Sequence, residues 1–204
     1  MKKIRFNFVR SVVAASLALA GVAAEPAAPT PTGAQTDGHF RKVILVADEQ
    51  VNGKYEDTLK DPMELAVAAD GRVFFAQRNG VIKVWKPDTK TTVEIAKVPV
   101  FDGLEDGMLG ITLDPNFLKN GWIYLNHSLP ETTMDAKGKK AGIIRVSRYT
   151  VTGDKLDLAS EKSLLDIATQ REECCHVGGS LAFDAKGNLY ISCLLYTSPS
   201  PRDS

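Results

Sequence analysis

Between residues 63 and 98, apolar and polar positions alternate in short runs separated by tight-turn dipeptides. Met63-Glu64-Leu65-Ala66-Val67-Ala68-Ala69 leads into Asp70-Gly71, and Arg72-Val73-Phe74-Phe75-Ala76 leads towards Asn79-Gly80. Val81-Ile82-Lys83-Val84-Trp85 and a run over 91–98 follow. Alternation with a period of two, broken by Asp-Gly or Asn-Gly, marks β-hairpins, because those dipeptides accept the left-handed backbone of a two-residue turn. No helical periodicity intervenes, so the four runs are predicted to form one antiparallel meander. Ahead of them, 41–46 (Arg-Lys-Val-Ile-Leu-Val) is predicted to be the first packed strand. It follows a Pro/Ala/Thr/Gly-rich leader at 25–38 and precedes a polar loop.

The pattern then returns. Leu109-Gly110-Ile111-Thr112-Leu113-Asp114 and Gly121-Trp122-Ile123-Tyr124-Leu125 repeat the strand-turn-strand unit across a looser connection at 115–120, and 143–149 and 163–168 supply two further strands. A third copy opens at Ser180. Aligned on the inner strand, Leu65 recurs as Ile111 after 46 residues and as Leu181 after 116, and Gly71 recurs as Gly187 after the same 116. The second interval is longer by 24 residues, which are assigned to a loop at 128–142 and a connection at 152–161. Four-strand units at such a period indicate propeller blades rather than a sandwich of chance-similar hairpins. The predicted fold is therefore all-β, an incomplete β-propeller made of the first two blades and the start of a third. Trp85 and Trp122 read as blade-packing residues.

Composition adds little to this and the termini add more. With 44% hydrophobic and 25% charged residues and a formal net charge of +0, the chain has core material and no basic field for nucleic acid. Lys2, Lys3, Arg5 and Arg10 precede an apolar run over 11–22 and the small residues Val22-Ala23-Ala24, the layout of a secretory signal peptide too short to span a bilayer. Cleavage after Ala24 leaves 21 basic against 25 acidic residues, a mildly acidic mature chain in the periplasm or outside the cell. At the other end, 193–204 abandon alternation and read as a translated sequencing-library adapter. The expected organisation is a signal peptide (1–24), a leader (25–38), a partial propeller (39–192) and a non-native tail that includes Cys193. Export favours paired thiols, and only the adjacent Cys174 and Cys175 remain to pair, in a disulfide that would be strained and easily reduced.

The candidate chemistry sits in Cys174-Cys175-His176-Val177-Gly178-Gly179-Ser180-Leu181, where a histidine precedes two glycines at the mouth of a strand. Single histidines are most often surface or core residues without chemistry. This one stands where neighbouring bulk is absent, and its ordinary pKa of about 6.5 suits a free base at neutral pH. Glu105, before a glycine turn, reads either as a solvated loop carboxylate or as a site residue on a loop held by a rigid scaffold. His39 and His127 read as solvent-exposed and Arg78 as a surface charge beside a turn. Cys174-Cys175-His176 cannot easily surround one metal.

Three blocks in order carry a resemblance over about 40–192: Asp70-Gly71-Arg72-Val73-Phe74 with Arg78-Asn79-Gly80-Val81-Ile82, Glu105-Asp106-Gly107-Met108-Leu109-Gly110-Ile111 with Leu113-Asp114-Pro115-Asn116-Phe117, and His176-Val177-Gly178-Gly179-Ser180-Leu181 with Gly187-Asn188-Leu189-Tyr190-Ile191-Ser192. The chain resembles the glucose/sorbosone dehydrogenase family, soluble quinoproteins on a six-bladed propeller. The resemblance implies an exported oxidoreductase acting on an aldose or related sugar or polyol. In it, His176 would be the general base, Glu105 a substrate contact, pyrroloquinoline quinone and calcium the cofactors, and a carrier such as a cytochrome c the electron acceptor. It departs from the family in having Cys175 before the histidine, where an acidic residue is common. The groups that hold quinone and calcium come from later blades, so the chain as written is expected neither to bind the cofactor nor to close into a stable domain. Two other readings stay open, a calcium-dependent lactonase-type propeller and a non-catalytic carbohydrate- or protein-binding propeller.

Overall fold

The structure is a computed structural model that describes residues 43–46, 49–51, 54–56, 59–172 and 177–192. A short hairpin comes first, β1 (Glu49–Val51) with β2 (Lys54–Glu56), joined by the two residues Asn52-Gly53. The first four-stranded sheet follows as β3 (Pro62–Val67), β4 (Val73–Gln77), β5 (Val81–Lys86) and β6 (Thr91–Lys97), each antiparallel to the last in the order of the chain. The second sheet contains β7 (Met108–Leu113), a one-turn helix α1 (Phe117–Asn120), β8 (Trp122–Ser128), a two-residue strand β9 (Thr133–Met134), β10 (Lys140–Thr152) and β11 (Lys155–Gln170). Its strand order is β7-β8-β10-β11, with β9 paired to β10. β12 (Leu181–Phe183) and β13 (Leu189–Ile191) form the third sheet.

The repeat read from the sequence is present in the hydrogen bonds. The amides of Ala68, Asp114 and Asp184 donate to the carbonyls of Arg72, Trp122 and Asn188, closing the first turn of each sheet at equivalent positions. Gly71 and Gly187 hold φ of 86° and 79°, a conformation open to glycine at little cost. In the second and third sheets the turn is locked in the same way by a carboxylate. Asn120 Nδ2 (2.9 Å) and the Tyr124 hydroxyl (3.0 Å) donate to Asp114, as Asn188 Nδ2 (2.7 Å) and the Tyr190 hydroxyl (3.1 Å) donate to Asp184. Those bonds favour the ionised acids. The bond from Asn188 leads in holding Asp184 down to about 2, and at Asp114 the bonds outweigh burial and keep it below the ordinary value.

Each broad face of the second sheet is covered by a neighbour. Met108, Ile111, Ile123, Leu125 and Tyr149 pack with Phe74, Ile82 and Val84 of the first sheet, and the Phe74 and Phe117 rings meet edge to face at 5.2 Å. On the other face Tyr124 and Val146 pack with Leu181 and Leu189 of the third. Trp122 packs against this second cluster, with the Arg148 guanidinium 3.8 Å over its ring. Truncating Phe74, which is fully buried, would cost about 3–5 kcal/mol through the cavity it leaves.

Three expectations are corrected. Residues 43–46 form no strand, and Val43 and Ile44 are exposed: an apolar run becomes a strand only where an edge is available to pair with it. Residues 152–161 are no inserted connection, since β10 turns at Gly153-Asp154 directly into β11. The extra length lengthens that hairpin and adds the β9 turn. His127 is not solvent-exposed. At 2% exposure it lies inside β8, opposite Met108 on one side and Arg145 on the other, with its ring 6.3 Å from Tyr149.

Burial lowers the His127 pKa to about 4, with Glu161 and Asp166 pulling it up and Arg145 pushing it down. The unfolded chain, titrating near 6.5, then binds more protons than the folded one between pH 6.5 and 4. His127 therefore destabilises the fold as pH falls through that window, by up to about 3 kcal/mol. Urea unfolding of the protein at pH 7 and pH 4.5 checks this. His127→Gln should remove a part of the acid sensitivity of about that size, and equal pH slopes for the two proteins would contradict it.

Candidate functional site

The segments that lead into the inner strands β7 and β12 gather at one end of the sheets, and that end forms the candidate site. The loop 102–107 precedes β7 and carries Glu105, which is exposed at the rim. Arg78, expected to be a surface charge, is half-buried and clamps this loop. Its Nη1 donates to the carbonyls of Asp102 (2.8 Å) and Leu104 (3.0 Å), and its own carbonyl accepts the Met108 amide at 2.8 Å. Leu104 sits at φ 56°, a strained conformation for leucine that these bonds hold in place.

Beneath Glu105 lies a buried ion pair. Asp106 accepts the Ser128 hydroxyl at 2.7 Å and faces Arg171 Nε at 3.6 Å. The Arg171 side chain has no exposure. It donates to the carbonyls of Leu129 (2.5 Å) and Glu131 (2.6 Å) and to Thr132 Oγ1 (2.8 Å), and its guanidinium lies 4.1 Å over the Phe101 ring. Burial raises the Asp106 pKa, opposed by the Ser128 bond and by the charge of Arg171. Arg171 stands at the end of β11, five residues before His176 in the chain, and Asp106 follows Glu105 directly. The pair thus joins the loop that carries one candidate residue to the segment that leads to the other.

On the far side of residues 173–176, Gly179 rests on β7. A Cβ on Gly110 would clash with the Gly179 carbonyl, and one on Gly179 would come within 2.6 Å of Leu109 Cβ, so the two glycines permit a close backbone approach. Asn126 Nδ2 donates to that same carbonyl at 3.2 Å. His176, Cys174, Cys175 and Cys193 lie outside the described residues, as do the signal-peptide and leader residues 1–42 and the tail 193–204. Of the sequence candidates, Glu105 is therefore seen directly, and for His176 the structure describes the stretches on either side. Asn126 and Arg171 went unremarked in the sequence, Asp106 stood there only within a motif block, and Arg78 was read as a surface charge. Asn126 is the one of these that stands within a strand, as a polar residue following the apolar run that opens β8.

A groove of about 640 Å³ lies at the other end of the inner strands, between 65–69 and 111–119. Its one carboxylate, Asp114, is committed to Asn116, Asn120 and Tyr124. Among the described residues no group of three or more His, Cys, Asp or Glu could hold a metal ion, and no helix is long and apolar enough to cross a membrane. Arg78 is committed to the carbonyls of Asp102 and Leu104 and to Asp61, and the buried Arg171 to two carbonyls, Thr132 and Asp106.

Four-stranded antiparallel sheets packed face to face, with their inner-strand approaches collected at one end, define a β-propeller-like protein. The pattern of the Glucose / Sorbosone dehydrogenase family matches residues 59–194, and the chain belongs to that family. A glucose dehydrogenase described as a putative oxidoreductase from Thermus thermophilus shares 26% identity over 67% of this chain and 38% of its own, with a TM-score of 0.55. The PQQ-bound aldose sugar dehydrogenase of Streptomyces coelicolor shares the fold at 22% identity and a TM-score of 0.50, over 64% of this chain and 37% of its own. The human Hedgehog-interacting protein is 30% identical over 149 residues, 65% of this chain and 20% of its own length. The chain thus spans under two-fifths of those solved structures and a fifth of that relative.

The Asp106–Arg171 pair generates a stability prediction. Arg171→Leu leaves a buried carboxylate without its cation and should destabilise the protein by about 3–5 kcal/mol, whereas adding Asp106→Leu to it should recover part of the loss. Urea unfolding of both single variants and the double variant measures the coupling; strictly additive losses would show that the pair does not act as a unit.

Proposed function

We propose that this chain supplies the first blades of an exported quinoprotein that oxidises an aldose or a related sugar or polyol. His176 takes the proton of the reacting hydroxyl, and Glu105 hydrogen-bonds other hydroxyls of the substrate. Pyrroloquinoline quinone, with calcium, is the proposed hydride acceptor, held by residues of blades beyond this chain. A carrier such as a cytochrome c would take the electrons from it. The observation that carries the proposal is the Asp106–Arg171 pair, which joins the Glu105 loop to the segment leading to His176 at one end of the sheets. Membership of a family of sugar dehydrogenases supports the reaction class.

An imidazole with its ordinary pKa is half deprotonated near pH 6.5 and can accept a proton at neutral pH without metal assistance. A carboxylate on a loop fixed by Arg78 can accept hydrogen bonds from sugar hydroxyls with little reorganisation. A second reading, a binding propeller without catalysis, is favoured by the likeness to a protein whose name describes an interaction.

Turnover separates the two. In the full-length protein purified from the exported fraction and supplied with quinone and calcium, His176→Ala should lower kcat by roughly 10² to 10⁴ while quinone binding stays nearly intact. Unchanged turnover of sugar would sink the assignment of the base, and no turnover in the loaded wild type would favour the binding propeller. Glu105→Ala should lower kcat/KM by about 10-fold or more, the loss of a charge-assisted hydrogen bond of about 1.5–3 kcal/mol. Wild-type kinetics across several sugars would return Glu105 to a solvated loop residue.

A further inference from the structure

Among the described residues, three that are not glycine hold the left-handed backbone: Asp61 at φ 44°, Lys90 at 56° and Leu104 at 56°. Aspartate takes that region more readily than most residues, and the Lys90 amide closes a turn on the Lys86 carbonyl at 2.8 Å. Leucine has no such local return. Its Cβ meets the steric penalty of the conformation and its side chain makes no hydrogen bond, so burial in a core would be its ordinary justification. Leu104 is not in a core. It is 48% exposed and packs into neither apolar cluster.

The conformation is nevertheless enforced from both sides. Arg78 Nη1 holds the Asp102 and Leu104 carbonyls, the Arg78 amide donates to the Asp61 carbonyl at 2.9 Å, and Arg78 Nε faces the Asp61 carboxylate at 3.6 Å. On one side of Leu104, a Cβ on Gly103 would come within 2.6 Å of the Phe101 ring, and on the other, one on Gly107 would come within 2.5 Å of the Arg78 carbonyl. The bond that Leu104 accepts goes to its backbone, which glycine also carries. What leucine adds is therefore an isobutyl group at the rim, next in the chain to the exposed Glu105.

We propose that Leu104 is a specificity-determining residue: its isobutyl group supplies an apolar contact beside the Glu105 carboxylate, and together they take a sugar or polyol with a hydroxyl-free edge next to its hydroxyls, as in a deoxy sugar. The inference rests on the reading of Glu105 as a substrate contact. Carboxylate oxygens accept hydrogen bonds from hydroxyls, and C–H surface is the part of a sugar that gains by leaving water for an aliphatic side chain. Backbone strain without a return in packing is found where a side chain serves binding. An apolar contact of this kind discriminates modestly, and one at an exposed rim less than one in a closed pocket.

The test compares an aldohexose with its deoxy counterpart, lacking one hydroxyl away from the reacting carbon, in the full-length protein supplied with quinone and calcium. Leu104→Gly relieves the backbone and is expected to raise the urea midpoint of unfolding. It should at the same time lower the deoxy-to-parent ratio of kcat/KM by about 3- to 10-fold, with the loss in KM. Leu104→Asn, polar and tolerant of the left-handed region, should lower the ratio in the same sense and keeps the test open if Leu104→Gly folds poorly. Leu104→Met, which stays apolar, should retain most of the ratio. An unchanged ratio in both Leu104→Gly and Leu104→Asn would overturn the inference. So would a lower urea midpoint for Leu104→Gly, which would mean that the leucine is kept for packing in the complete protein. If Glu105→Ala leaves the kinetics of both sugars unaltered, the reading of the substrate contact fails and the inference falls with it. If Glu105→Ala is impaired and the Leu104 variants keep the ratio, the inference alone fails.

Discussion

Each sheet in this chain has to be apolar on both faces, and that constraint organises most of what is seen. An isolated antiparallel sheet can leave one face to water, but a propeller blade is covered on both sides by its neighbours. β4 meets the demand by being buried along its whole length, and β8 by sending alternate residues to two different clusters, Ile123 and Leu125 to one and Tyr124 to the other. Inner strand β3 is the exception, with Leu65 and Val67 at 60% and 63% exposure. Leu65 and Val67 lie two residues apart on one face of β3, which borders the groove.

Because the blades pack through flat apolar faces, their mutual register must come from elsewhere, and polar contacts at the mouth supply it. Arg78 links the β4–β5 turn to the loop before β7, Arg171 links β11 to the same loop, and Glu64 links β3 to β7 and β12. Charged groups suit this task because their hydrogen bonds are directional and hydrophobic contacts are not. Arg171 also shows the cost. Among the described residues its Nε has no hydrogen-bond partner, with Asp106 at 3.6 Å, while the side chain is fully buried, an arrangement that favours one geometry over maximal stability.

The sequence disclosed whatever depends on local chemistry. Turn glycines at 71 and 187 and the offsets from Leu65 to Ile111 and Leu181 could be read directly, because a two-residue turn and a period of two leave their mark in neighbouring residues. The structure reproduces that register at the amides of Ala68, Asp114 and Asp184. The β1–β2 hairpin was legible in Asn52-Gly53 and was passed over as part of a polar loop. Features that depend on distant partners could not be seen. Nothing beside Arg78 announces a bond to Leu104, 26 residues away, or beside Glu64 a bond to Ser180, 116 residues away. His127 was misjudged for the same reason, since its burial is decided by strands on both sides of β8.

Strand β8 shows how stability and site share one element. From Trp122 to Leu125 its side chains are apolar or aromatic and fill the two cores. From Asn126 to Ser128 they are polar and yet equally buried. That change occurs within one strand whose backbone pairs without interruption to β10, while its pairing with β7 is irregular between Met108 and Gly110, opposite His127 and Asn126. The ends of the strand differ in what lies beyond them: turns locked by Asp114 at one end, and the loops bearing Glu105 and leading to His176 at the other. Ser128 donates its hydroxyl to Asp106 and Asn126 its amide nitrogen to the Gly179 carbonyl, while among the described residues Asn126 Oδ1 and His127 Nδ1 have no hydrogen-bond partner. A buried polar atom left unpaired costs about 1–3 kcal/mol, and a strand serving only the core would carry aliphatic side chains there. Proteins tolerate such departures where position matters more than stability. Within β8 they are confined to the half that adjoins the loop bearing Glu105.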